Sequence, residues 1–128
     1  MMSAALWMVF FAGILPVLTV VFAKAAGGSY DNAHPRAWAA GLTGFRARAH
    51  AAHLNHFEFF PFFAVGVLVA EWKAGGGTSL NGLALVIMAS RLAYTFAYFM
   101  DHPALRSLAW AIAWFGTIGI FLLAARGA

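Results

Sequence analysis

"RARAHAAHLNHFEFFPFF", residues 46–63, holds two Arg, three His, one Asn and one Glu within its first thirteen positions and then turns wholly apolar. The sequence around it decides what kind of helix this is. Hydrophobic residues make up 63% of the 128-residue chain and charged residues only 9%, against about 25% charged in an ordinary soluble domain. That leaves too little polar material to cover a water-facing surface. The stretch is therefore a polar segment of an integral membrane protein, and a chain of this length is expected to form one domain, residues 1–128.

Four apolar runs divide the chain. The first covers about 4–23, with Pro16 tolerated as a kink in a membrane helix. Its apolar run, "SAALWMVFFAGILPVLTVVFA", lacks a basic start and is longer than the core of a signal peptide, so it is read as a span. "KAAGGSYDNAHPRAWAAGLTG", residues 24–44, breaks the pattern with turn formers. A second span covers about 45–72, a third about 80–99 after the turn "KAGGGTSLNG", and a fourth about 104–125 after "MDHP". The two-residue alternation of a membrane β-barrel is absent. The predicted fold is an all-α, four-helix antiparallel membrane bundle with short connections.

Lys24, Arg36, Arg46, Arg48 and Arg106 flank the first and third connections, whereas Lys73 and Arg126 flank the other side. The positive-inside rule places the first set in the cytoplasm and both termini on the non-cytoplasmic side. The net charge of +4 is explained by this topology. No nucleic-acid motif is present, and no nucleic-acid partner is expected. The chain contains no Cys, so thiol chemistry requires a ligand's thiol.

Ionisable groups inside spans carry an insertion cost and normally face the bundle or a wet cavity. At 100° per residue, Arg48, Asn55 and Glu58 share one side of the second span. Arg46, His50, His53 and Phe57 form another stripe, and His56 lies apart beside His53. On the third span Arg91, Tyr94, Thr95 and Tyr98 share a face, supplying a guanidinium and two phenols as donors. Glu58 and Arg91 differ in depth by roughly one turn and are expected to approach each other, either as a register-fixing pair or as part of a ligand site. His50, His53 and His56 fan over roughly 120° of the helix, too wide for one ion, and no metal site is expected.

These motifs resemble the MAPEG family, membrane-associated proteins in eicosanoid and glutathione metabolism. The family's second-helix pattern R-x-x-R-A-x-x-N-x-x-E, followed by Pro, is matched at Arg48, Ala52, Asn55, Glu58 and Pro61. Its third-helix pattern is matched by "RLAYTFAY", and an Arg-Ser found in some members by Arg106 and Ser107. The resemblance covers nearly the whole chain. It implies a homotrimer that binds glutathione as co-substrate in clefts between subunits and acts on lipophilic small molecules or lipids. The implied activity is of glutathione transferase or peroxidase type. Arg106 and Ser107 would be catalytic, stabilising the sulfur as thiolate. Asn55, Glu58, Tyr94 and Tyr98 would hold the tripeptide, with Arg48, His53 and Arg91 completing the binding set. The pattern's second Arg is Ala51 here, and the Arg near the end of the first helix has only Lys24 as counterpart. "YDNAHPR" lies outside the eukaryotic pattern and points to a divergent subgroup of bacterial inner membranes. A non-catalytic lipid- or ligand-binding trimer is the alternative, since the family includes such a member.

Overall fold

The computed structural model describes residues 1–127. It contains α1 (Ala4–Ala25), a short α2 (Pro35–Ala40), α3 (Gly44–Ala74), α4 (Thr78–Phe99) and α5 (Pro103–Arg126). Helices α1, α3, α4 and α5 are each long and apolar enough to cross a membrane. Within a bilayer every backbone polar group must be satisfied inside the protein, and helices achieve this within a single segment. The result is an all-helical four-span bundle.

Local sequence explains where the helices stop. Ser3 caps α1, its Oγ accepting the Leu6 amide at 3.2 Å. Gly75, Gly76 and Gly77, all at positive φ, make the sharp turn between α3 and α4 that a side chain would strain. Pro103 opens α5 at a position where its missing N–H would have no helical partner. Pro16 and Pro61 lie inside α1 and α3.

Helix α1 packs on α3 and α4, and α5 packs on the same two helices from the far side. The shared surfaces are lined by small residues, among them Ala5, Ala12, Ala52, Ala70, Ala84, Ala109, Ala113 and Ala124. Lipid tails are as apolar as Leu, so close backbone approach through small residues, more than burial of bulk, holds membrane helices together. Gly116 shows this directly: a Cβ there would lie 2.8 Å from Ile87 Cγ1. The bulky apolar side chains point outward instead. Phe10, Phe11, Val17, Leu18, Val21, Leu68, Val86 and Phe115 are all exposed, as a lipid-facing surface requires.

The two ends of the bundle differ. At the end carrying both termini, Ser3 Oγ donates to Glu71 Oε1, and Asn81 Oδ1 accepts the Ala5 amide at 2.9 Å. The opposite, loop end carries the α1–α3 and α4–α5 connections. There Arg46 Nε donates to the Ala23 carbonyl at 2.9 Å, and Arg48 Nη2 to the Phe99 carbonyl at 3.3 Å. Both arginines thus sit on the C-terminal carbonyls of α1 and α4, where a cation also faces the negative end of the helix dipole.

Candidate functional site

Helix α3 turns one stripe, Ala49, Ala52, His56, Phe59 and Phe63, into the bundle. Asn55 and Glu58 lie beside that stripe, Asn55 half-buried and Glu58 exposed. Facing them, α4 buries Arg91, Tyr94 and Thr95.

Arg91 has no exposed surface. Its Nη2 donates to Asn55 Oδ1 at 2.9 Å and to His56 Nδ1 at 2.7 Å. Asn55 Nδ2 donates to Glu58 Oε2 at 3.1 Å. Glu58 and Arg91 therefore approach each other through Asn55 and not as the direct pair that their depths suggest. The amide relays the carboxylate's polarity inward while Glu58 stays at the surface.

His56 is the group that the helical wheel set apart from the site. It is 1% exposed and belongs to the inward stripe, so its neighbours Ala52, Phe59 and Phe63, one or two turns away, carried the signal. Because a guanidinium has only donors, His56 Nδ1 must accept from Arg91. Nε2 then carries the proton and donates to Thr95 Oγ1 at 2.8 Å. Thr95 Oγ1 donates in turn to the Arg91 carbonyl at 3.0 Å, closing a loop from Arg91 side chain to Arg91 backbone.

Towards the loop end the polar line continues along α4. The Arg91 guanidinium lies 4.3 Å from the Tyr94 ring centroid, and the Tyr94 and Tyr98 rings meet edge to face at 5.4 Å. The Arg106 guanidinium, brought in by the first turn of α5, lies 4.5 Å from the Tyr98 ring. Arg91 and Arg106 are thus joined by two phenols packed edge to face. Beside this wall a cleft of about 380 Å³ opens between α3 and α5, lined by Asn55, Glu58, Phe59, Phe62, Trp110 and Trp114.

The remaining expected site residues lie elsewhere. Arg48 caps α4, about 15 Å along α3 from Glu58 at 1.5 Å per residue. His53 turns towards α1, its Nδ1–H donating to the Pro16 carbonyl at 2.7 Å. It therefore faces away from Arg91. Ser107 is exposed on α5. With His53 turned to α1 and His56 to α4, the histidine series is split. Among the described residues no three His, Cys, Asp or Glu side chains converge as a metal ion would require.

The polar atoms left over indicate what the wall can take. Nε and Nη1 of Arg91 are buried without a partner. Orphaned donors of a buried cation are costly, so they mark where an acceptor would be gained, although Arg91 itself does not line the cleft. The exposed Glu58 carboxylate, joined to Arg91 through Asn55, suits an ammonium. Opposite charges joined through the Asn55 amide, with Phe62, Trp110 and Trp114 lining the cleft beside Glu58, are complementary to a zwitterion with an apolar neighbour.

Fold and wall together define an integral membrane helical bundle with a largely aromatic, ligand-sized cleft beside its buried polar line. Residues 3–126 match the model of the MAPEG family, and the chain belongs to that family. Neither a curated protein nor a solved structure matches the chain.

Proposed function

We propose that the protein is a glutathione-dependent membrane enzyme acting on lipophilic electrophiles, of transferase or peroxidase type. The observation that carries this reading is the unbroken line Glu58–Asn55–Arg91–Tyr94–Tyr98–Arg106 beside the α3–α5 cleft. Membership of a family associated with glutathione and eicosanoid metabolism supports it.

The residues fit glutathione. Its ammonium suits Glu58, and a carboxylate suits the unpartnered Nε and Nη1 of Arg91. Bound glutathione supplies the thiol that this Cys-free chain lacks. Arg106, half-buried at the loop end, is the cation assigned to hold that sulfur as thiolate, since a neighbouring positive charge lowers a thiol pKa from about 8.5. Tyr98 orients Arg106 by presenting its ring face, an arrangement favourable to guanidinium. Trp110, Trp114 and Phe62 exclude water and offer an apolar wall to a lipophilic co-substrate. Ser107 is placed as a helper at the exposed rim.

In this reading the chain works as a homotrimer in a bacterial inner membrane, with the loop end in the cytoplasm and both termini outside. The neighbouring subunit closes the cleft.

Formation of a glutathione adduct of a halogenated nitroarene by the purified protein tests the enzyme. Adduct formation above the spontaneous rate, lost in Arg106→Ala, supports the reading. Turnover at the spontaneous rate favours the other reading, a lipid- or ligand-binding trimer without chemistry.

A further inference from the structure

The loop end of α1 carries a second gathering of polar groups, built from the segment 29–38 that the proposed reaction does not use. This segment is well tied down. Trp38 Nε1 donates to the Ser29 carbonyl at 3.0 Å, and Tyr30 meets Trp38 edge to face at 4.8 Å. Asp31 Oδ1 accepts the amides of Ala33 and His34 at 2.8 and 3.1 Å. Together with α1 and α3 it encloses a cleft of about 210 Å³ whose walls include Val20, Lys24, Tyr30, Trp38, His50 and His53.

The charge in this cleft is one-sided. Lys24 Nζ lies 4.0 Å from the Tyr30 ring centroid, and the Arg46 guanidinium 5.5 Å from that of Trp38. Both cations rest on aromatic faces and neither meets a carboxylate. The one acid of the segment, Asp31, is turned to His34 at 3.1 Å, and no carboxylate lines the cleft. Two polar atoms are open: the Arg46 Nη2 donor and His50 Nδ1 are buried without a partner. His53 is already bonded to Pro16. Gly28 lets the loop backbone close over Arg46, since a Cβ there would lie 2.5 Å from Nη1.

A compact anion with several acceptor oxygens matches the Lys24 ammonium and the His50 imidazole in the cleft wall, with the Arg46 guanidinium adding positive charge behind Trp38. The outer face of α1 continues from Val20 and Lys24 to Val17 and Val21, which are exposed and apolar. Trp and Tyr together mark the depth of the headgroup layer. We propose that this cleft is a phosphate-recognition site at the membrane interface, holding a phosphate ester whose source is the headgroup of an anionic phospholipid with its chains along Val17 and Val21. The cleft shares Lys24 and His53 with the residues that the family resemblance ties to glutathione, but Asn55, Glu58, Arg91 and Arg106 lie outside it, so the phosphate site can fail while the glutathione reading stands.

The test compares the full-length protein in nanodiscs of phosphatidylcholine containing phosphatidylglycerol, reading retained phosphatidylglycerol by native mass spectrometry. Lys24→Gln and Arg46→Gln should each lower retention about five-fold, the effect of one basic residue at an anionic surface. Lys73→Gln, which removes an equal charge stacked on Trp72 at the other end, should leave it unchanged. Arg46 also caps α1, so Lys24→Gln decides if the Arg46 variant fails to fold. A second arm adds inorganic phosphate to protein in phosphatidylcholine alone. A rise in unfolding temperature that is lost in Lys24→Gln assigns the site to free phosphate as well; no rise, with phosphatidylglycerol still retained, assigns it to the headgroup. Retention equal in wild type and Lys24→Gln without a phosphate effect overturns the proposal, as does an equal loss in Lys73→Gln.

Discussion

Arg91 and Asn55 are joined across α4 and α3 by a 2.9 Å hydrogen bond, and this contact links a fully buried guanidinium to the exposed carboxylate of Glu58. The amide presents its oxygen to the cation and its nitrogen to the anion.

Asn55→Leu removes both contacts and leaves Arg91 with His56 as its one hydrogen-bond partner. A lost hydrogen bond to a charged group is worth about 1.5–3 kcal/mol, and that destabilisation is expected in denaturant unfolding of the detergent-solubilised protein. Asn55→Asp keeps an acceptor for Arg91 but loses the donor to Glu58 and sets two carboxylates side by side, so its stability should fall between those of the wild type and Asn55→Leu. Equal stability of Asn55→Leu and wild type would mean that Arg91 is held by its other contacts alone.

His56→Leu should be destabilising by about 1–3 kcal/mol, since it removes two buried hydrogen bonds and leaves Arg91 Nη2 with Asn55 alone and Thr95 Oγ1 with the Arg91 carbonyl alone. The Nε2–H form of His56 follows from its two partners, and nitrogen-15 NMR reads that form directly. A spectrum showing the proton on Nδ1 would contradict the loop Arg91–His56–Thr95.

Glutathione bound to the wild type should show thiolate absorbance at the ultraviolet edge, and Arg106→Ala should lose it. Arg106 lies at the first turn of α5, outside the buried core, so the variant should remain folded. A full thiolate signal in Arg106→Ala would take the sulfur away from Arg106.

Asp31 lies on the loop between α1 and α2, and its carboxyl is held below the ordinary 3.8 chiefly by the His34 side chain, with the Ala33 and His34 amides adding to it. The depressed value means that its contribution to loop order is complete above 3.8 and is lost as pH falls through the lower folded value. Hydrogen exchange of the Ala33 and His34 amides should therefore stay slow above that pH, and Asp31→Ala should exchange fast throughout. Identical protection in the variant would remove Asp31 from the turn.

The four spans and the helical fold were legible because composition and run length speak directly to a bilayer. Asn55, Glu58, Arg91, Tyr94 and Tyr98 were legible because polar groups on apolar helices have few alternative explanations. His56 was obscured by its neighbours: in the run His50, His53, His56 the periodicity gives angles but not which face a partner helix covers. The buried stripe through Ala52, Phe59 and Phe63 settles that only once α4 is in place. The family motif points Arg48 to the ligand, and His53 stands among the polar residues of the same helix. Their actual partners are the Phe99 and Pro16 carbonyls, and backbone acceptors on other helices leave no mark in sequence. The packing of segment 29–38 against Lys24 and Arg46 depends on the same kind of distant contact.

Calorimetric titration of glutathione into the purified protein tests the central claim most directly, with Glu58→Gln as the control, because Glu58 is exposed and its loss does not open the core. Saturable binding in the micromolar to millimolar range, abolished or much weakened in Glu58→Gln, is the result the polar wall predicts. No heat of binding at high millimolar glutathione, or equal binding by Glu58→Gln, would contradict it and leave Arg91 and Asn55 as a lock between helices.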